Sequence, residues 1–199
     1  MIESLKRAIR LPSAPRIWTP GRTTPTKKRV SVLHARSWQV DRDGRLVWAE
    51  EDFRPNILHD EGELYLLVLA FDTDYGQGFP ASAPANLYLG LDNRSGLSEG
   101  DTLATVVAAE PSGNGYARIP ISTSTGFTLS QPGAAYQADS GVRTFTASGG
   151  VIGPVRHRFL ATAASGTTGK LLCSVPLSVE RTLQDGDKLN TTLVIAMGE

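Results

Sequence analysis

Period-two alternation is clearest over Lys188–Met197, where Leu189, Thr191, Leu193, Ile195 and Met197 share one face and Asn190, Thr192 and Val194 the other. That spacing predicts a half-buried β-strand. Similar short runs predict strands at Tyr116–Ser122, Phe127–Leu129, Val142–Ala147, Val155–Thr162 and Leu171–Pro176, with an earlier one at Ala85–Leu91. Ser148-Gly149-Gly150, Ser165–Gly169 and Asp185-Gly186-Asp187 separate them as turns. Ser37–Val40 and Arg45–Trp48 flank Asp41-Arg42-Asp43-Gly44, and Asp-Gly supplies the positive φ of a tight hairpin.

The period changes at Asp60–Ala70. Asp60 with Glu63 three residues on reads as a capping box, and Leu64, Leu67 and Phe71 would form one helical face with Val68 beside it. A strand remains the alternative over Leu64–Phe71, because this run is apolar all round. Residues 72–84 read as a loop, and a helical turn is expected at about Gly100–Val107. Ile2, Leu5 and Ile9 would share a stripe on two turns of helix, with Lys6, Arg7 and Arg10 mostly off it. Pro12, Pro15, Pro20 and Pro25 then exclude regular structure.

The expected fold is mainly β: an antiparallel β-sandwich or jelly-roll-like body with one or two short helices and an extended N-terminal arm. The expected divisions are a basic anchoring arm at 1–29, a β-hairpin linker at 30–55 and a sandwich-like body at 56–199. Composition agrees: 199 residues, 40% hydrophobic, supply one core, and 20 Gly with 12 Pro favour short strands and many turns.

Charge changes the picture. The formal net charge is zero, yet residues 1–45 hold eleven Lys or Arg and three Asp or Glu, giving +8. Residues 46–199 hold nine and seventeen, giving −8. A basic arm on an acidic body predicts pairing with neighbouring copies or with another protein. Trp18 is the expected apolar anchor, with Arg16, Arg22, Lys27, Lys28 and Arg29 as electrostatic partners. Contact with nucleic acid is the weaker reading, because the acidic body repels DNA and aromatics are scarce in the arm.

Candidate chemistry is sparse. His34, His59 and His157 stand singly, without the convergent spacing of a zinc site. The pairs Asp41/Asp43, Asp72/Asp74 and Asp185/Asp187 lack the full calcium-loop pattern and read as turns. Neither a Gly-x-Ser-x-Gly elbow nor a phosphate loop is present, since Gly113-Asn114-Gly115 lacks the following Lys-Ser/Thr. The single Cys173 sits in an apolar run and is expected to be buried. Neither a secretory signal nor a membrane span is evident, so the expectation is a soluble protein made in the cytosol, without cofactor, metal or enzymatic activity.

The run Glu110-Pro111-Ser112-Gly113-Asn114-Gly115-Tyr116-Ala117-Arg118 is the most distinctive stretch. Gly113 and Gly115 permit a tight turn, and Tyr116 and Arg118 would leave it on one side of a strand. Around it lie Asn56–Glu63, Asn86–Leu91, Thr144–Gly150, Gly153-Pro154-Val155, Phe159–Thr162, Leu177-Ser178 and Arg181–Asn190. In that order these motifs resemble a family of small β-rich virion structural proteins of tailed bacteriophages and prophages, of the kind called tail fibre or minor tail proteins. The resemblance covers about residues 56–196; residues 1–55 lie outside it. It implies a virion component assembled in the host bacterial cytoplasm, working in many copies with other virion proteins and with itself. The alternatives are a tail-fibre module that binds a host-surface polysaccharide and a DNA-contacting minor capsid or decoration protein.

Overall fold

A computed structural model describes residues 30–52, 57–71, 83–132 and 136–197. Among the described residues, ten strands form two five-stranded antiparallel sheets. The first has the order β2 (Leu46–Asp52), β1 (Val30–Val40), β10 (Lys188–Met197), β7 (Tyr136–Thr146), β6 (Thr128–Ser130). The second has the order β3 (Ile57–Leu58), β9 (Leu171–Leu183), β8 (Ile152–Ala161), β4 (Asn86–Asp92), β5 (Ile119–Ser122). Helices α1 (Asp60–Phe71) and α2 (Leu103–Val107) complete the fold. This is the sandwich that the alternating pattern predicts.

The core follows from that alternation. Ala35, Phe145, Leu189 and Leu193 from the first sheet meet Leu89, Leu91, Val155, Leu160 and Leu183 from the second in one buried cluster. Each fully buried Leu contributes about 2 kcal/mol relative to exposure. Pro120 sits in β5, an edge strand opposite Tyr88, where a missing N–H interrupts no central ladder.

The expected hairpin forms, with Asp41 Oδ1 accepting from the backbone N–H of Asp43 (2.9 Å) and Arg45 (2.8 Å). Its first strand pairs along β10 from Val30↔Met197 to Val40↔Lys188, so the hairpin is the edge of the first sheet.

Several boundaries differ from expectation. Strand β5 starts at Ile119 rather than Tyr116, because Tyr116 and Arg118 are spent on side-chain bonds around a corner. Strand β7 begins at Tyr136 rather than Val142 and runs through Gly141, whose φ of 63° breaks the alternation that a sequence reading follows. Strand β9 continues past Pro176 to Leu183 across a register shift against β8, between Arg181↔Val155 and Pro176↔His157. A proline is tolerated where the ladder opens.

Helix α1 occupies the expected span, but its buried face does not. Tyr65 and Val68 are buried with Gly62, whereas Leu67 and Phe71 are exposed. Packing of Gly62 against the β9 backbone sets the rotation: a Cβ there would lie 2.2 Å from the Leu172 carbonyl oxygen. Asp60 is the first helical residue, one step beyond a cap; its N–H donates to the Glu99 carbonyl at 2.9 Å. The expected loop at 72–84 lies mostly outside the described residues.

Candidate functional site

The run 110–118 folds as a corner held by its own side chains. Gly113, Asn114 and Gly115 have φ of 72°, 51° and 80°, and the turn brings Glu110 back against Tyr116 and Arg118. Arg118 grips Glu110 at two points, Nε to Oε1 at 2.8 Å and Nη2 to Oε2 at 2.7 Å. Nη1 and Nη2 also donate to the carbonyls of Ala163 (2.8 Å) and Gly166 (3.1 Å) in the β8–β9 loop. The Tyr116 hydroxyl donates to Glu110 Oε1 at 2.7 Å and accepts from the Leu91 N–H at 2.9 Å. Burial and the neighbouring Glu110 carboxylate push this phenol well above its ordinary pKa, so it stays a donor.

The separate motifs of the sequence meet here. Gly90 pairs with Phe159 across β4 and β8, and a Cβ on Gly90 would fall 2.2 Å from the ring of Phe159. The bare glycine therefore seats that ring, and the Arg118 guanidinium covers it at 5.3 Å. Tyr116 stacks on Phe145 with centroids 5.8 Å apart. Asn114 bonds the turn after β7: its carbonyl accepts from the Ser148 N–H at 2.8 Å and its Nδ2 donates to the Val151 carbonyl at 2.7 Å. That turn is tied to the next one, since Asp185 Oδ1 accepts from the Gly149 N–H at 2.7 Å. The chemistry of the corner is cohesion: the Glu110 carboxylate accepts three bonds and the Arg118 guanidinium donates four, all within the protein itself.

A second polar assembly crosses between the sheets. Arg158 on β8 is fully buried and lies 3.2 Å from Glu50 Oε1 on β2. It donates to Ser37 Oγ on β1 and, at 2.9 Å, to the Pro176 carbonyl. Ser37 Oγ in turn donates to Thr191 Oγ1 at 2.9 Å. A buried cation so enclosed fixes how one sheet lies on the other. Neither Arg158 nor Glu50 is marked out in the sequence, because each looks like one more alternating polar position.

At the end of the sandwich where β1 begins, an apolar cavity of about 160 Å³ opens beside α1. Tyr65, Leu66 and Leu69 of the helix face Leu87, Leu160 and Ile195 across it. Cys173 also lines it; the thiol is buried as expected, and burial pushes its pKa up to about 12. Nothing in the sequence marks this cavity, because its walls come from six elements distant along the chain, β3, α1, β4, β8, β9 and β10.

Two histidines sit in polar contacts of the body. His59 lies against Ser174 Oγ at 2.9 Å, and His157 lies 3.4 Å from the buried Asp92. Burial lowers the His59 pKa, opposed by the Ser98 and Glu99 carbonyls and the Asp101 and Glu61 carboxylates. Among the described residues, no group of three or more His, Cys, Asp or Glu could hold a metal ion, and no helix is long and apolar enough to cross a membrane. The expected partner-binding residues Arg16, Trp18, Arg22, Lys27, Lys28 and Arg29 all lie outside the described residues, as do Asp72 and Asp74.

Comparison with curated proteins and with solved structures gives no match. A family model described as podophage GP4 fiber I protein gp80 matches residues 75–195, which include the corner, Gly90, Phe159 and the β9–β10 turn. The chain belongs to this podophage GP4 fiber I protein gp80 family, a family of phage virion structural proteins.

Proposed function

We propose that this protein is a non-enzymatic fibre or tail component of a podophage particle, fastened to neighbouring subunits through its basic N-terminal arm. The observation that carries this reading is the division of charge, +8 before residue 46 and −8 after it, in a chain of a phage fibre family. The corner supports it, because part of the family's span is spent on an internally bonded brace. A rigid body and a charged arm suit repeated assembly, in which weak contacts add through multivalency. Within the arm, Trp18 would supply the apolar anchor and Arg16, Arg22, Lys27, Lys28 and Arg29 the charge.

The test is a chain lacking residues 1–29, followed in two ways. Light scattering in low and high salt reads self-association, and complementation of particles reads incorporation. The truncated protein is expected to fold, to lose self-association and to be absent from particles. A truncated chain that still incorporates would falsify the arm's role.

A further inference from the structure

Three pairs in the chain place an Asp or Asn directly before a glycine: Asp43-Gly44, Asn114-Gly115 and Asp185-Gly186. In such a pair the side-chain carbonyl carbon is one ring closure away from the next backbone nitrogen, and glycine has no Cβ to block the approach. The fold occupies that nitrogen in two of the pairs. The Gly44 N–H donates to the Asp41 carbonyl at 3.0 Å, and the Gly186 N–H to the Ala147 carbonyl at 2.9 Å. Among the described residues, the Gly115 N–H donates to no atom. Asn114 also carries the better leaving group, an amide rather than a carboxylate. The other asparagines precede larger residues: Asn56-Ile57, Asn86-Leu87, Asn93-Arg94 and Asn190-Thr191. Asn114 and Gly115 are both exposed, so water and hydroxide reach them. The restraint on the Asn114 side chain is its Nδ2 bond to the Val151 carbonyl, an exposed bond with little net cost to open.

We propose that Asn114 is a site of spontaneous deamidation and that the modification loosens the corner. The Gly115 nitrogen gives its proton to hydroxide and attacks Asn114 Cγ. The new N–Cγ bond closes a succinimide, the Cγ–Nδ2 bond breaks, and the amide leaves with a proton as ammonia. Water then opens the ring at either carbonyl, leaving aspartate or isoaspartate. This is the chemistry that makes asparagine thermolabile. Both products lose the donor that holds the Val151 carbonyl at 2.7 Å and put a negative oxygen in its place. Isoaspartate also routes the main chain through the former side chain, between two glycines whose φ of 72° and 80° shape the turn. The Ser148 N–H, seated on the Asn114 carbonyl at 2.8 Å, then loses its register, and Gly149 with its bond to Asp185 lies next in line. In an assembled particle, where no new chain replaces an old one, the change accumulates with age.

The test holds full-length protein in warm, mildly alkaline buffer, with a parallel sample in urea, and maps both by peptide mass spectrometry. Succinimide, aspartate and isoaspartate are expected at position 114 of the native protein, while Asn86 and Asn190, inside strands β4 and β10, stay intact. An Asn114 that survives as well as those two overturns the site. Conversion in urea with none in the native protein overturns it too, because the free N–H of the folded corner is then unreactive. Ion exchange separates the converted native protein by its added negative charge, and its urea midpoint is compared with that of fresh protein. The unfolding equilibrium is expected to shift about tenfold towards the unfolded chain, the effect of one lost bond with its acceptor stranded. Asn114→Asp, which carries the aspartate product alone, should shift in the same direction. Unchanged midpoints in both overturn the loosening of the corner.

Discussion

The Arg118 guanidinium and the Glu110 carboxylate meet as a two-point fork, at 2.8 and 2.7 Å, with the arginine side chain 1% and the glutamate 11% exposed. Breaking such a pair on one side leaves the other charge buried without a counterion. Glu110→Gln or Arg118→Met alone is therefore expected to destabilise the body by about 3 kcal/mol. The double change Glu110→Gln with Arg118→Met should lose less than the two single losses combined, because no stranded charge remains. Urea midpoints of the four proteins measure this. Equal additive losses would show that the fork does not act as a unit.

How much of this was legible in the sequence depends on the distance over which each feature is built. β10 was read to its end residues, because its alternation from Leu189 is plain in the sequence, although Thr192, Val194 and Ala196 of the other face are buried too. The turn at Gly113–Gly115 was read as well, since positive φ leaves a glycine signature. The face of α1 was read as Leu64, Leu67 and Phe71 with Val68 beside it; Val68 is buried and Leu64 packs on the core, but Leu67 and Phe71 are exposed. A helix that is apolar all round does not announce its rotation, and here a close approach of Gly62 to the Leu172 backbone decides it. Glu110 belonged to the motif, but its partnership with Arg118 needed the turn between them to be closed in space. Arg158 was invisible, because its bonds reach Ser37, Glu50, Pro176 and Thr191, at separations that run from 18 residues for Pro176 to 121 for Ser37.

Gly62 makes that rotation testable. In an open helix Gly→Ala gains about 1 kcal/mol of propensity. Here the added methyl would stand 2.2 Å from the Leu172 carbonyl oxygen, which belongs to rigid backbone. Overpacking of this kind costs about 1–3 kcal/mol, so Gly62→Ala should lower stability despite the better helix former. Gly96 is the control, since a Cβ there meets nothing within 4 Å and its φ is not positive. Gly96→Ala should be neutral or stabilising by up to about 1 kcal/mol. Thermal or urea unfolding of both variants decides it, and a stabilising Gly62→Ala would contradict the packing of α1 on β9.

Cys173 offers a reporter of opening at the cavity. Its thiol is 5% exposed as a residue, and burial raises its pKa from 9.0 to about 12. At pH 8 that shift alone lowers the thiolate fraction about a thousandfold relative to the unfolded chain. Native protein is expected to resist an aromatic disulfide reagent and to label promptly in denaturant. Labelling speed under native conditions then measures how often the α1 end of the sandwich opens. Prompt labelling of native protein would contradict a closed wall at Cys173.

His59 ties stability to pH at the same end of the molecule. Its imidazole sits buried against Ser174, and burial holds its pKa below the ordinary 6.5. Above pH 6.5 the ring is neutral in both folded and unfolded chains, and its packing counts in full. Below 6.5 the unfolded chain takes up a proton that the folded ring resists, so stability falls as pH drops from 6.5 towards the folded pKa. The slope from one such group is at most about 1.4 kcal/mol per pH unit. His59→Gln removes the titration while keeping an amide near Ser174. The variant should be less stable at pH 7.5, yet flatter between pH 6.5 and 5, where most carboxylates have not begun to titrate. Urea midpoints across that range, with imidazole NMR shifts on the native protein, measure both. A His59 resonance that titrates at or above 6.5 would place the ring in water and remove it from the junction of α1 and β9.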